Sequence, residues 1–169
     1  MAADTPERFD PLGLLAAIQR RHASFIFIGA LARVTRGSDE LTNGVDITPW
    51  MRPTTLANLE LALADVNARR ADGRPLALDN EEPVIELQTD FGELKIVPQP
   101  AGTRGYEDLR RAATYEHLGR GVRPHIASVG DLIRMAGALG RDHDRDLVIV
   151  NQLRKIAELE RELGIGLEL

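Results

Sequence analysis

The chain has no cysteine, which excludes disulfide staples, thiolate metal sites and a cysteine nucleophile together. Aromatic residues are scarce, with four Phe, two Tyr and one Trp, so a core must be built from aliphatic side chains. No apolar run approaches the roughly 20 residues that a membrane-spanning helix needs. The opening residues, MAADTPERFD, are acidic and polar and lack the basic-then-apolar order of a secretory signal. These absences predict a soluble, cytoplasmic protein with no membrane partner. Positive charge is also in deficit: 21 Lys and Arg against 26 Asp and Glu give a net charge of −5. That balance argues against bulk affinity for nucleic acid. The arginine pairs Arg20-Arg21, Arg69-Arg70 and Arg110-Arg111 are candidates for a local basic face, but they read first as solvated helix faces.

What is present is 43% apolar sequence over 169 residues, enough to bury one core. Asp10-Pro11 opens a helix, a capping side chain followed by Pro in the first turn. Leu14, Leu15 and Ile18 give that helix an apolar stripe as far as His22. Phe25–Ile28 is a continuous apolar run that suits a strand buried on both faces. Ala30–Arg36 reads as a short helix closed by Gly37, and Val45–Thr48 as a second strand halted by Pro49. Thr54 or Thr55 then caps a helix that buries Leu56, Leu59, Leu63 and Val66.

Residues 70–83 read as an exposed connection. Residues 84–89 and 93–97 form two strands about the turn Asp90-Phe91-Gly92. A helix is expected over 106–117 and a strand over 122–127, placed at a sheet edge by Pro124. Ser128 caps a helix to Leu139, and leucines at three- or four-residue steps give a terminal helix over 142–163. The prediction is an α/β (α+β) fold: a small mixed sheet with flanking helices and a C-terminal helical part. The core spans 1–126, and the helices of 127–169 pack on it as a single compact unit.

Several stretches also carry chemistry. Phe25-Ile-Phe-Ile-Gly29-Ala30-Leu31-Ala32 is followed by Arg36-Gly37-Ser38, Thr42 and Val45-Asp46-Ile47-Thr48-Pro49. Later come Thr89-Asp-Phe-Gly92-Glu-Leu94-Lys95-Ile96-Val97-Pro98 and Ala127-Ser128-Val129-Gly130-Asp131-Leu132-Ile133. In this order they resemble the nucleotidyltransferase fold of the polymerase-β type, in the branch holding AbiEii-like and toxin-type proteins. The resemblance spans about residues 22–148. It implies a glycine turn that cradles phosphate, an Asp-x-Asp pair and a third acid on the neighbouring strand, together holding Mg²⁺ and a nucleoside triphosphate. It further implies transfer of a nucleoside monophosphate to RNA, protein or a small molecule, and in several members a place in toxin–antitoxin or phage-defence pairs.

The chemistry makes the departures matter. Clustered carboxylates hold the divalent ion that neutralises a triphosphate, and positions 44 and 46 share one strand face. Here the first acid is Gly44 and the third is Lys95, so Asp46 with Lys95 carries no net charge. Ala30 stands where the family's phosphate turn has a second Gly or Ser, Glu40 where Arg is frequent, and Ala136 where many relatives have Lys. The expectation is a retained fold with a decayed metal site: a nucleotide- or protein-binding regulatory component, with a partner chain or a second copy and no cofactor. The alternative is an active Mg²⁺-dependent nucleotidyltransferase. In it Asp46 is the catalytic metal ligand, and a migrated carboxylate comes from Glu93, or from Glu86 or Asp90. Lys95 could instead replace the metal and hold a phosphate as a point charge. Gly29, Ala30, Ser38 and Lys95 are the candidate nucleotide-binding residues.

Smaller signals read more simply. His143 among alternating acids serves helix-start compensation, and Gly102-Thr103-Arg104-Gly105 is a weak candidate for an anion loop. Trp50 and Met51 read as packing at the mouth of the expected pocket.

Overall fold

A computed structural model describes residues 9–78, 82–139 and 143–163, and within these every side chain except those of 139 and 143–147. The apolar run Phe25–Ile28 forms β1, buried at all four positions. A strand with no polar face must be covered on both sides, and β1 lies inside a seven-stranded sheet. On one side it pairs antiparallel with β2 (Gly44–Pro49), which runs parallel to β5 (Gly92–Ile96). Beyond β5 come β4 (Ile85–Thr89) and the two-residue β3 (Arg69–Arg70), each antiparallel to its neighbour. On the other side of β1, β7 (His125–Ile126) pairs in parallel, and β6 (Thr114–Tyr115) closes that edge antiparallel to β7.

Period-two alternation divides the central strands into two faces. Phe25, Phe27, Val45, Ile47, Leu94, Ile96, Ile85 and Leu87 are buried members of the core. The helices α1 (Pro11–Arg20) and α3 (Pro53–Asp65) pack on each other and add Leu14, Leu15, Ile18, Leu59 and Leu63 to it. The opposite face carries Gly44, Asp46, Glu93 and Lys95. It meets α2 (Gly29–Thr35) and α5 (Val129–Leu139), and α6 (His143–Leu163) packs on α5.

Local chemistry sets most boundaries. The Gly13 N–H donates to Asp10 Oδ1 at 3.0 Å and caps α1, and the Asp131 N–H donates to Ser128 Oγ at 3.0 Å and caps α5. In the β4–β5 turn, Thr89 Oγ1 donates to the Gly92 carbonyl at 2.8 Å and accepts from the Phe91 N–H at 3.0 Å.

Four sequence expectations are corrected. The helix expected over 106–117 is only α4 (Tyr106–Leu109), after which the chain extends into β6. The cause is long-range. The Arg36 guanidinium donates to Thr114 Oγ1 at 2.8 Å, to Glu116 Oε1 at 3.2 Å, and to the Ile126 and Ala127 carbonyls at 3.0 and 3.1 Å. Pro124 does not mark an edge: it lies just before β7, which is flanked on both sides, and its carbonyl accepts from the Glu116 N–H. The connection after α3 starts with β3 rather than loop, because Arg70, buried in spite of its charge, is held by Asp72 and Glu82. Finally, α3 begins at Pro53 with Arg52 as its cap residue, so neither Thr54 nor Thr55 caps it.

Phe27 is fully buried at the centre of the sheet. Phe27→Ala should cost about 3–5 kcal/mol of unfolding free energy, as aromatic truncations in packed cores do. Urea denaturation measures this, and a loss under 1 kcal/mol would contradict the placement of β1.

Candidate functional site

Cross-strand registry builds the site. Asp46 on β2 stands opposite Lys95 on β5, which stands opposite Glu86 on β4. Directly paired residues point to the same face, so acid, ammonium and acid form one row across three strands. Ile28 on β1 continues the row. This row floors a cavity of about 440 Å³. Its walls are Gly29, Ala30 and Arg33 from α2, Val84, Val97, Pro100 and Ala101, and Leu132, Met135 and Ala136 from α5.

Gly29 is dictated by its neighbour. It has φ +80°, and a Cβ built on it would overlap Asp46 Oδ2 and lie 2.9 Å from Asp46 Cβ. Only glycine tolerates both the left-handed backbone and the approaching carboxylate. The turn therefore brings Asp46 against the first residue of α2. One turn along that helix, Arg33 reaches the cavity while it is held in a two-pronged ion pair. Its Nε and Nη2 donate to Glu40 Oε2 and Oε1 at 2.7 and 2.8 Å.

Burial raises the Asp46 pKa above the ordinary 3.8, and the negative charge of Glu93 adds to the rise, while Lys95 and Arg33 oppose it. Desolvation is the largest of these effects. Lys95 acts on Asp46 through space, since among the described residues no direct ion pair joins them.

The other candidates fall as follows. Gly29, Ala30, Asp46 and Lys95 share the cavity. Glu93 stands opposite Gly44 in the next row of the same face, its Cβ 3.3 Å and its Oε2 3.9 Å from where a Cβ on Gly44 would be. Its side chain thus borders the place where the resemblance expects the first acid. Ser38 is buried, and its hydroxyl contacts Glu40 Oε2 at 2.7 Å and Gln152 Oε1 at 3.1 Å, so it supports the Arg33–Glu40 pair instead of lining the cavity. Asp90 accepts from Asn67 Nδ2 in the β4–β5 turn. Glu40 does not present a bare negative charge, because Arg33 covers it. Trp50 stacks on Tyr106 with centroids 5.4 Å apart and carries the Arg52 guanidinium at 3.7 Å, which is a packing role. The side chains around His143 lie outside the described residues. Sequence reasoning missed Arg33, which the i, i+4 relation to Gly29 at the start of α2 could have flagged.

No family model matches the chain, and no curated protein matches it. Its structure is similar to the solution structure of the antibiotic-resistance factor ANT(2'')-Ia, with a TM-score of 0.54 and 14% identity. The match covers 91% of this chain and 90% of that one. The fold is nucleotidyltransferase-like.

Mg²⁺, which such a fold implies, needs several hard oxygen donors converging on one point. Among the described residues no group of three or more acidic or histidine side chains is placed to hold a metal ion. Gly44 has no side-chain donor, and Lys95, paired with Asp46 across β2 and β5, puts an ammonium beside the one remaining carboxylate of that row pair. This donor set does not fit the ion.

Two outcomes follow. A raised carboxyl pKa means that the folded state binds more protons, so stability falls as pH rises from the ordinary toward the raised value. Above the raised value the penalty is complete; below about 3.8 it is absent. Asp46→Asn should therefore be more stable than the parent chain at pH 7, with the gap closing as pH falls toward 3.8. Denaturant titrations at both ends test this, and a less stable Asn variant at pH 7 would show that the cations outweigh desolvation. Gly29→Ala should cost about 1–3 kcal/mol. Part of that loss should be recovered in an Asp46→Gly background, where the carboxylate is gone and only the backbone strain persists.

Proposed function

We propose that the chain is a binding protein on a nucleotidyltransferase-like fold. Its Asp46 cavity receives the phosphate end of a nucleotide through Lys95, without a divalent metal. The observation that carries this reading is the Glu86–Lys95–Asp46 row on the cavity floor. An ammonium stands where the resemblance expects a carboxylate, and among the described residues it faces the cavity without a direct ion pair. A compact charge on a flexible stem is suited to phosphate. Arg33 adds a second cation to the wall, steadied by Glu40 and Ser38. The chain then acts as a regulatory component through a partner, as in the toxin–antitoxin-like and phage-defence settings that the resemblance implies.

One observation favours the alternative of an active transferase: Glu93 borders the space beside Gly44, where a migrated carboxylate would have to be. The same experiment separates the two. Melting is followed with ATP, GTP, CTP and UTP, each with and without Mg²⁺. Ligand at a hundredfold excess over its Kd stabilises by about 2.7 kcal/mol. Under the proposal the melting temperature rises with nucleotide whether or not Mg²⁺ is present, and Lys95→Met abolishes the rise. A rise that requires Mg²⁺ would move the assignment to the transferase built on Asp46 and Glu93. No rise with millimolar nucleotide would refute nucleotide binding altogether.

A further inference from the structure

The two ends of β1 open on different cavities. Ile28, at its end, lines the Asp46 cavity; Phe25, at its start, lines another of about 310 Å³. This second cavity holds both tyrosines of the chain, Tyr106 and Tyr115. Among the described residues Tyr115 is the exposed one of the Phe, Tyr and Trp side chains, at 59%. It stacks on His125, its register partner across β6 and β7, with centroids 4.2 Å apart and planes 11° from parallel. The Arg123 guanidinium lies 5.6 Å from the Tyr115 centroid.

This arrangement is braced. Gln19 on α1 donates from Nε2 to the Gly121 carbonyl and accepts the Arg123 N–H at Oε1, both at 2.9 Å. His125 Nε2 is 3.0 Å from the Ala113 carbonyl, and burial, its largest influence, lowers its pKa. The ionisable lining residues are His22, His125, Arg123 and the two tyrosines; among the described residues no carboxylate lines the cavity. An aromatic pair with an exposed face, an adjacent guanidinium and no acid is complementary to a flat ring carrying negative charge.

We infer that this cavity is a second binding site, for a planar aromatic anion that stacks against Tyr115–His125 and pairs its charge with Arg123. A volume of this size sits at the small end of ligand pockets, which suits a single ring system with one anionic group. The site shares no lining residue with the Asp46 cavity, so it stands or falls independently of nucleotide binding there.

The test titrates the full chain with three probes while NMR follows the ring protons of Tyr115 and His125. Adenosine 5′-monophosphate supplies ring and anion, adenosine the ring alone, and inorganic phosphate the anion alone. The expected result is saturable shifts with the monophosphate, about tenfold or more tighter than with either part. Tyr115→Ala and Arg123→Gln should each weaken it by about tenfold or more, in line with the worth of one stacked base, and Tyr115→Phe should keep most of the affinity. If Tyr115→Ala fails to fold, Arg123→Gln, read from the same rings, decides. No saturable shift at millimolar probe would overturn the assignment. So would equal affinity for the monophosphate and its parts, or undiminished binding by the two weakening variants, which would leave the stack a brace for the β6–β7 edge.

Discussion

The approach of the Asp46 carboxylate to the Gly29 backbone governs the geometry of the whole cavity end. Because the carboxylate occupies the space a side chain at 29 would need, β1 can end there only on a glycine with positive φ. That turn starts α2 against the carboxylate. It also sets the phase of α2, so that Ala30 and Arg33 face the cavity while Ala32 goes into the core. Glu40 and Ser38 then fix Arg33 from the segment after the helix. A chain of local requirements thus runs from one contact to the cavity wall.

The charge pattern on the floor has a related logic. Burial raises the Asp46 pKa even with two cations acting against it, so desolvation exceeds attraction at this position. Two further carboxylates, at 44 and 95, would repel Asp46 and could be tolerated only with a bound cation to offset them. Glycine at 44 and lysine at 95 remove that demand. Lys95 instead lowers the Asp46 pKa against the effect of burial.

The central sheet and α1 were legible because their signals are local. Asp10-Pro11 caps as expected, the run Phe25–Ile28 suits a doubly covered strand, and 84–89 and 93–97 flank a turn whose Thr89 hydroxyl closes it. The β6–β7 edge was not legible, because it is made by contacts far apart in sequence. Nothing near Thr114 reveals that Arg36 will bond it, and Leu109 to His117 has a helix-like composition that this tie overrides. The same limit applies at the site. Asp46 and Lys95 could be paired by resemblance, but Arg33 came into view only with the start of α2. Ser38, which the motif order placed near phosphate, has its hydroxyl drawn off by Glu40 and Gln152, and the latter lies on a helix more than a hundred residues away.

That Arg36 tie also bears on how the two cavities relate. It joins α2, which carries Arg33 into one cavity, to β6 and β7, which carry Tyr115 and His125 into the other. A contiguous route of this kind invites the idea of coupling, but coupling needs an element with two discrete arrangements. The guanidinium here makes four hydrogen bonds, two of them to backbone carbonyls next to the sheet. Shifting β7 relative to α2 would break several charge-assisted bonds at once, and the mostly buried guanidinium would lose these partners. Such a clamp resists displacement instead of relaying it. Its physical effect is to fix β1 and both of its ends in one frame, so that the walls of both cavities are preformed.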